Sequence, residues 1–282
     1  MSTYKRYRIY LDFIKSTKLF LYFTSMAPVL LAFCIAGFKS AYLFILLLLL
    51  VIFVQLMINI SMDLSDFKAK INVRSANTFF PIGPYSISIM HYRIKSLKLA
   101  ATISIIVAVI DGIIVLIVTR EYILLLIGFI AVLFSALYIV PPVSLYRRGV
   151  GEISTFLNFG PLPLLGSLIA FHNPITLQYI TISIFLGLMA SAIRYLHHLP
   201  EDNMGSIRVR KFKIIYSSLV FIGTILPIFA GVYLIVILLI PAVWHIIKLP
   251  GTVDGISRKT FEIVLLHITG TLLILLQLSL HL

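Results

Sequence analysis

Long apolar stretches recur along this chain and constrain its fold more than any other feature. We count nine of them, roughly at residues 19–37, 41–61, 97–118, 122–142, 152–171, 175–194, 213–229, 231–248 and 261–280, with about 20 apolar residues for each bilayer crossing. The seventh and eighth are the least distinct, because Pro227 and Gly231 alone divide them. The pattern predicts an all-α fold, a polytopic membrane helix bundle of nine transmembrane helices forming a single domain over residues 1–282.

The charge distribution supports a membrane protein with a defined orientation. The chain is 60% hydrophobic and 12% charged, whereas soluble domains carry about 25% charged residues. A net charge of +13 would suit nucleic acid, but the basic residues lie at the ends of apolar stretches, as orientation determinants do. With the N-terminus inside, all of the 23 Lys and Arg residues except Lys39 and Arg120 fall in inner segments. We expect a multi-pass protein of the cell membrane with the lipid bilayer as partner, no nucleic acid, a cytoplasmic N-terminus and polar loops, and an external C-terminus.

A polar patch lies at the inner end of the second apolar stretch. Asn59, Asp63 and Asp66 are spaced i, i+4 and i+7, which places them on one face of a helix. Two carboxylates and an amide are costly there unless something satisfies them. Mg²⁺ would do so, because it takes oxygen ligands and completes its shell with water and substrate phosphate. The alternative is a polar helix end that is solvated at the membrane surface.

Basic residues follow this patch directly and suit an anionic ligand held by the metal. They are Lys68, Lys70 and Arg74.

A second polar block follows the fourth apolar stretch and reads YIVPPVSLYRRGVGEISTFLNFGPLPLLG. It begins at Tyr138, and a proline pair then ends the stretch. Tyr146, Arg147 and Arg148 come next, at the position of an interfacial anchor. Glu152 begins the following stretch, where an acid suits a helix N-terminus. Alternatively, the two arginines serve only to set the orientation of the chain in the membrane, and the glutamate serves only to stabilise its helix.

The third block follows the sixth stretch and reads RYLHHLPEDNMGSIRVRKFK. His197 and Glu201 are four residues apart, and so are His198 and Asp202. Histidine binds metals as neutral imidazole, although Mg²⁺ prefers oxygen. Near neutral pH it could instead donate a proton to diphosphate or act as a base. An interfacial histidine pair is the alternative, and Arg208 lies in a basic run that suits either a phosphate clamp or simple orientation.

These blocks together resemble the UbiA superfamily of intramembrane prenyltransferases, most closely the branch that prenylates 1,4-dihydroxy-2-naphthoate. In the first block the likeness comprises Gln55, Asn59, the Asp63-x-x-Asp66 pair, Phe67 and Lys68. In the second it comprises the Tyr-Arg-Arg, Gly-Glu and Phe-Gly-Pro order. Two positions depart from the family: Asn72 stands where that branch usually has an aspartate, and His197 replaces the first acid of the second acidic motif.

The resemblance implies a bundle around a central cavity that opens to the cytoplasm. It also implies Mg²⁺-dependent transfer of a polyprenyl group from an allylic diphosphate to an aromatic acceptor in quinone biosynthesis, with menaquinone as first choice. The implied catalytic residues are Asp63, Asp66, Lys68 and Tyr146. The implied metal ligands are Asn59, Asp63, Asp66, Glu201 and Asp202. The implied substrate contacts are Asn59, Lys70, Arg74, Tyr138, Arg147, His197, His198 and Arg208.

Two alternatives stay open at this point. The acceptor could instead be a 4-hydroxybenzoate ring, a haem or chlorin side chain, or a glycerol-phosphate lipid. The competing class is a non-catalytic membrane carrier or a decayed homologue, since the second acidic motif is altered. A carrier needs no allylic diphosphate, so metal-dependent release of diphosphate distinguishes it from an enzyme.

Overall fold

A computed structural model describes residues 18, 21–73, 81, 83–140, 142–146, 148, 150–197, 206–251, 255–256 and 258–280, with the backbone alone at 206–208. The helices of this part of the chain are α1 (Tyr22–Ile35), α2 (Ala41–Lys68), the short α3 (Tyr85–Ser88), α4 (Ile94–Thr119), α5 (Ile123–Ile139) and α6 (Glu152–Phe159). They continue with α7 (Pro161–Ala170), α8 (Leu177–His197), α9 (Ser206–Phe229), a 3₁₀ helix (Tyr233–Leu238), α10 (Leu239–Ile247) and α11 (Thr260–Ser279). Within the described ranges there is no strand, and the all-α expectation is confirmed.

Six of these segments are long and apolar enough to cross a membrane: α2, α4, α6 with α7, α8, α9 from Val209, and α11. Three shorter apolar segments, α1, α5 and the 3₁₀ helix with α10, coincide with the remaining predicted stretches. The predicted positions therefore all carry helix. Nine complete crossings stay a prediction, because the three shorter segments have fewer residues than a bilayer normally requires.

The fifth predicted stretch differs from its expected form, because Gly160 divides it into α6 and α7. A Cβ at Gly160 would collide with the backbone of Ser183 and Gly187 in α8, so the two elements cross at backbone contact. Gly187 is equally constrained, since a Cβ there would meet the Phe156 carbonyl oxygen at 2.6 Å. Close approach of backbones through small residues is typical of helix packing in membranes. It allows α6 to turn its polar face toward α8.

The eighth predicted stretch also differs, because it begins as a 3₁₀ helix after a turn at Gly231, whose φ is +87°. Such a turn leaves backbone groups without helical partners, and in a membrane these must be satisfied by protein. Gln277 of α11 satisfies two of them. Its side-chain amide donates to the Gly231 carbonyl at 2.7 Å and its carbonyl accepts from the Leu234 N–H at 2.9 Å.

Helix α8 lies at the centre of the bundle. In its apolar stretch 72% of the residues are buried, against 22% for α2 and for α4. It packs against α6, α7, α9 and α11, whereas α2 packs mainly along α4. Residues near the ends of α2 and α8 line one common cavity, so these two ends lie at the same end of the bundle.

Candidate functional site

The polar residues of α2 are buried, although they lie in the last three turns before the helix ends at Lys68. Asp63 is 2% exposed and Asp66 is 3% exposed, and Asn59 is partly buried. The carboxylates thus point into the protein rather than into solvent. The burial of unpaired carboxylates is strongly unfavourable, so both side chains require partners.

Asp63 has two partners, and one of its carboxylate oxygens accepts no hydrogen bond from a described residue. Its Oδ2 accepts from the backbone N–H of Ser86 in α3 at 3.2 Å. Its Oδ1 lies 3.8 Å from the Lys18 ammonium, which is itself only 7% exposed. No described residue donates a hydrogen bond to this Oδ1. An ionised carboxylate accepts about four hydrogen bonds, so Asp63 retains capacity for a further ligand.

Asp66 is held by Tyr146, which lies 80 residues further along the chain. The Tyr146 hydroxyl donates to Asp66 Oδ1 at 2.7 Å and also lies 3.2 Å from the Ser65 hydroxyl. Tyr146 is 3% exposed, and its ring centroid is 5.6 Å from that of Tyr138. The described geometry makes Tyr146 a hydrogen-bond partner of Asp66.

Arg194 of α8 joins three elements around the site. Its guanidinium pairs with the Glu152 carboxylate at the start of α6. It also donates to the Tyr138 hydroxyl at 2.9 Å and to the Tyr146 carbonyl at 3.1 Å. Its carbon Cζ lies 5.2 Å from the centre of the Tyr138 ring, so one face of that ring already meets a cation. Because Tyr146 contacts both Asp66 and Arg194, it connects the acidic end of α2 to the end of α8.

A cavity of about 90 Å³ lies between α1, α2, α5, α6 and α8. Its apolar lining includes Leu21, Ile58, Met62, Phe159 and Ile193. Its polar lining includes Lys18, Gln55, Asn59, Tyr138, Asn158, Arg194 and His197. The side-chain nitrogen of Asn59 and the side-chain oxygen of Gln55 are buried without a hydrogen-bond partner among the described residues. The cavity therefore has an apolar body and unsatisfied polar groups, as sites for amphipathic ligands do.

The structure brings together most of the described residues that the sequence singled out. Asn59, Tyr138 and His197 line the cavity. Asp63 contacts its lining residue Lys18, and Tyr146 packs against its lining residue Tyr138. Lys68 and Lys70 are different, because both are exposed at the end of α2 and neither lines the cavity. The residues outside the described part of the chain are Arg74, Arg147, His198, Glu201 and Asp202, and the side chain of Arg208 is not described either.

Sequence reasoning missed Lys18 and Arg194 as site residues and treated both as determinants of orientation. Lys18 stands directly before the first apolar stretch, where a basic residue is expected for topology. Its position could have identified Arg194 as a site residue. Arg194 lies three residues before His197 and therefore on nearly the same helix face. Glu152, for which helix stability was one explanation, is the ion-pair partner of Arg194.

The residues present fit a magnesium ion in their donor chemistry. Asp63 offers a buried oxygen without a hydrogen-bond donor, Asp66 lies one helical turn further on, and Asn59 lies one turn before. Mg²⁺ is usually bound through one or two carboxylates, with water and substrate phosphate supplying the other ligands. Within the described ranges no group of three or more His, Cys, Asp and Glu residues forms a protein-only metal site. The second acidic loop, with Glu201 and Asp202, falls outside those ranges.

Comparison with known proteins adds one informative likeness. No protein-family model matches this sequence, and no curated protein matches it. Among solved structures, a digeranylgeranylglyceryl phosphate synthase described in membranes superposes with a TM-score of 0.63. The sequences are 15% identical, and the match covers 98% of this chain and 99% of that chain. The chain therefore shares the fold of that synthase over almost its whole length.

Proposed function

We propose that this protein transfers a polyprenyl group from an allylic diphosphate to an aromatic acceptor, in a Mg²⁺-dependent reaction of quinone biosynthesis. The observation that carries the proposal is the pair of buried carboxylates Asp63 and Asp66 beside a cavity with an apolar body. The fold shared with a prenyl-lipid synthase supports it. So does the resemblance of the three polar blocks to the UbiA superfamily, whose naphthoate branch is the closest.

In this proposal Asn59, Asp63 and Asp66 of α2, together with Glu201 and Asp202, would hold Mg²⁺, and the ion would supply Lewis-acid stabilisation of the departing diphosphate. Lys18 would assist electrostatically, because it lines the cavity and its ammonium lies 3.8 Å from Asp63. Lys68 and Lys70, exposed at the membrane surface, would attract the incoming diphosphate before it enters. Arg74, Arg147, His198 and Arg208 keep their expected roles as substrate contacts.

The chemical step breaks the allylic C–O bond, and diphosphate leaves with the electron pair. An electron-rich carbon of the acceptor attacks the resulting allylic cation and then loses its proton. His197 lines the cavity and would accept this proton or donate one to diphosphate. The ring of Tyr138 stabilises the cation through the face that does not meet Arg194. The apolar lining of the cavity protects the cation from water.

A glycerol-phosphate lipid is the second candidate acceptor. The specific observation in its favour is the full-length fold match to a digeranylgeranylglyceryl phosphate synthase. The aromatic acceptor is preferred because the likeness in the first two polar blocks is to the naphthoate branch. Purified protein incubated with geranylgeranyl diphosphate, Mg²⁺ and a panel of aromatic and glycerol-phosphate acceptors distinguishes the two by the product formed.

The carboxylate assignment is tested by Asp63→Ala and Asp66→Ala. Each should lower prenyl transfer by about 100-fold or more, because metal ions supply several kcal/mol of transition-state charge stabilisation. Asp111→Asn is the matched control, since Asp111 is also a buried acid, at 5% exposure, but does not line the cavity. Turnover that survives in both site variants would remove the metal assignment.

Two further assays separate an enzyme from a carrier and test the altered second motif. EDTA should stop the release of diphosphate, and Mg²⁺ should restore it; a membrane carrier or decayed homologue would release none. His197→Asp should preserve or raise activity if His197 replaces the family's acid. Loss of activity in this variant would instead assign the imidazole a role of its own.

We also propose nine bilayer crossings in the cell membrane, with a cytoplasmic N-terminus and site loops and an external C-terminus. The supporting observation is that Lys39 and Arg120 lie at the opposite end of the bundle from the acidic end of α2. The chain has one cysteine, Cys34, so cysteines introduced at Lys39 and Lys68 in a Cys34→Ser background report each face separately. An impermeant thiol reagent should label position 39 in intact cells and position 68 only after lysis. The reverse pattern would invert the proposed orientation.

A further inference from the structure

The end of α10 lies at the same end of the bundle as the candidate site. Lys213, near the start of α9, donates to the Leu249 carbonyl just after α10 at 2.8 Å. The start of α9 in turn packs against the end of α8, where the rings of Phe212 and Tyr195 stack at 4.8 Å. The end of α8 carries His197 of the candidate site, so both regions lie at the same end of the bundle.

A notch of about 290 Å³ separates α10 from α11. Most of its lining is apolar: Leu238, Pro241, Trp244, Leu265 and Leu266. Trp244 is 63% exposed and Leu265 is 45% exposed, so the notch opens on the outer, lipid-facing side of the bundle. A volume of this size accommodates part of an alkyl chain, and the candidate site does not use it.

A polar network holds the walls of the notch together. The Tyr216 hydroxyl of α9 is 2.6 Å from His245 Nε2 of α10, and the other ring nitrogen of His245 is 3.0 Å from Glu262 Oε2 of α11. Lys259 pairs with the second oxygen of Glu262. The network joins three helices, so the notch is preformed. It also commits the charge of Glu262 to protein partners.

Two further cations stand where the helices that form the notch end and begin: Lys248 directly follows α10, and Arg258 lies two residues before α11. Lys248 is exposed, and its ammonium lies 4.8 Å from the centre of the Trp244 ring. Arg258 is exposed at the start of α11. No described carboxylate pairs with either cation, and Asp254 of the connection lies outside the described residues. The end of α10 and the start of α11 are therefore basic, whereas the lining of the notch is mostly apolar.

We propose that this notch binds an anionic phospholipid of the leaflet that faces the candidate site. One acyl chain occupies the apolar notch along Trp244, and the phosphate head contacts Lys248 and Arg258. Basic pockets between transmembrane helices bind anionic headgroups in this way, and the surrounding lipid supplies the ligand at high concentration. The lipid site is separate from the prenyl-transfer site and does not depend on the proposed reaction.

The chain contains a single tryptophan, Trp244, and it lies in the notch, so its fluorescence reports lipid binding directly. Purified protein is reconstituted into phosphatidylcholine bilayers that contain a fixed minor fraction of phosphatidylglycerol. Two samples have the same lipid composition. Bromine, a contact quencher, is attached to the acyl chains of phosphatidylglycerol in one sample and to those of an equal amount of phosphatidylcholine in the other. We expect brominated phosphatidylglycerol to quench Trp244 more strongly than the same fraction of brominated phosphatidylcholine.

The double variant Lys248→Gln/Arg258→Gln should lower the relative association constant of phosphatidylglycerol by at least about fivefold. This is the effect expected if only one of the two charges contacts the lipid head. The charge-matched control is Lys39→Gln/Arg120→Gln, at the opposite end of the bundle, which should leave the preference unchanged. Thr269→Phe, which fills the notch without altering charge, should reduce the excess quenching. Equal quenching by the two lipids in the unaltered protein, or an undiminished preference in the double variant, would overturn the proposal.

Discussion

Replacement of Arg194 by methionine tests the connection between the acidic end of α2 and the centre of the bundle. Arg194 is 6% exposed, and its partner Glu152 is 17% exposed. Methionine retains much of the volume but removes the ion pair and the donors to the Tyr138 hydroxyl and the Tyr146 carbonyl. The glutamate is then left without a counter-charge in a largely buried position.

The expected cost follows from these contacts. Loss of one partner of a buried ion pair costs about 3–5 kcal/mol of folding free energy. Because Glu152 is partly exposed, we expect the lower end of this range, about 3 kcal/mol. The orphaned Tyr146 carbonyl adds about 1 kcal/mol, while the Tyr138 hydroxyl can turn to the cavity. Since about 1 kcal/mol shifts the Tm of a chain of this size by about 2–4 °C, Arg194→Met should lower the Tm by about 8–16 °C.

The single cysteine provides the assay. Cys34 is half-buried in α1, so a thiol-reactive fluorogenic dye reports the unfolding of the bundle in detergent as temperature rises. Arg120→Met is the control, because Arg120 is exposed beyond the end of α4 and the described residues give it no ion pair. Its Tm should stay within about 1–2 °C of the unaltered protein, as surface substitutions usually do.

The double variant Glu152→Leu/Arg194→Met isolates the ion pair. Replacement of a whole buried pair by apolar residues is often neutral, whereas removal of one partner is not. The double variant should therefore recover about 2 kcal/mol relative to Arg194→Met alone, a Tm higher by about 4–8 °C. A Tm for Arg194→Met equal to that of the control, or strictly additive losses in the double variant, would refute the reasoning.

Two further predictions concern the same site. A Cβ at Gly151 would collide with the Arg194 guanidinium, so Gly151→Ala should lower both the Tm and prenyl transfer, whereas Gly128→Ala, which meets open space, should change neither. If the two glycine variants behave alike in thermal scans, the contact has no energetic weight. Tyr146→Phe removes a charge-assisted hydrogen bond worth about 1.5–3 kcal/mol, so the Tm should fall by about 3–12 °C, and kcat should fall because Asp66 loses the group that holds it. The control is Tyr122→Phe, at an exposed position. Equal kcat values for the purified Tyr146→Phe and Tyr122→Phe variants in steady-state kinetics would contradict the prediction.

The positions of the helices were largely predictable, because a membrane requires each crossing to be one long apolar helix. The two deviations, at Gly160 and Gly231, both involve backbone approaches that periodicity does not reveal. Gly160 allows α6 and α7 to meet α8, and Gly231 turns the chain where Gln277 supplies the missing backbone partners. Both depend on residues far away in the sequence.

The face of α2 that carries Asn59, Asp63 and Asp66 was predictable from spacing alone, since 3.6 residues per turn superpose positions i, i+4 and i+7. The partners of the carboxylates were not. Tyr146 lies 80 residues from Asp66, and the Arg194 guanidinium reaches Glu152 across 42 residues. Basic residues at the ends of apolar stretches all look alike in sequence, so Lys18 and Arg194 could not be separated from orientation determinants.

The amino-acid sequence by itself determined that this chain forms apolar helices, which of their ends are basic, and that one helix carries carboxylates on a single face. These properties are local, since each follows from hydrophobic length or helical period. Only the tertiary structure decided that those carboxylates are buried, that Lys18 and Tyr146 contact them, that Arg194 binds Tyr146 and Glu152, and that a cavity lies between the helices. Such contacts join residues from separate helices, and packing alone selects which helix faces meet.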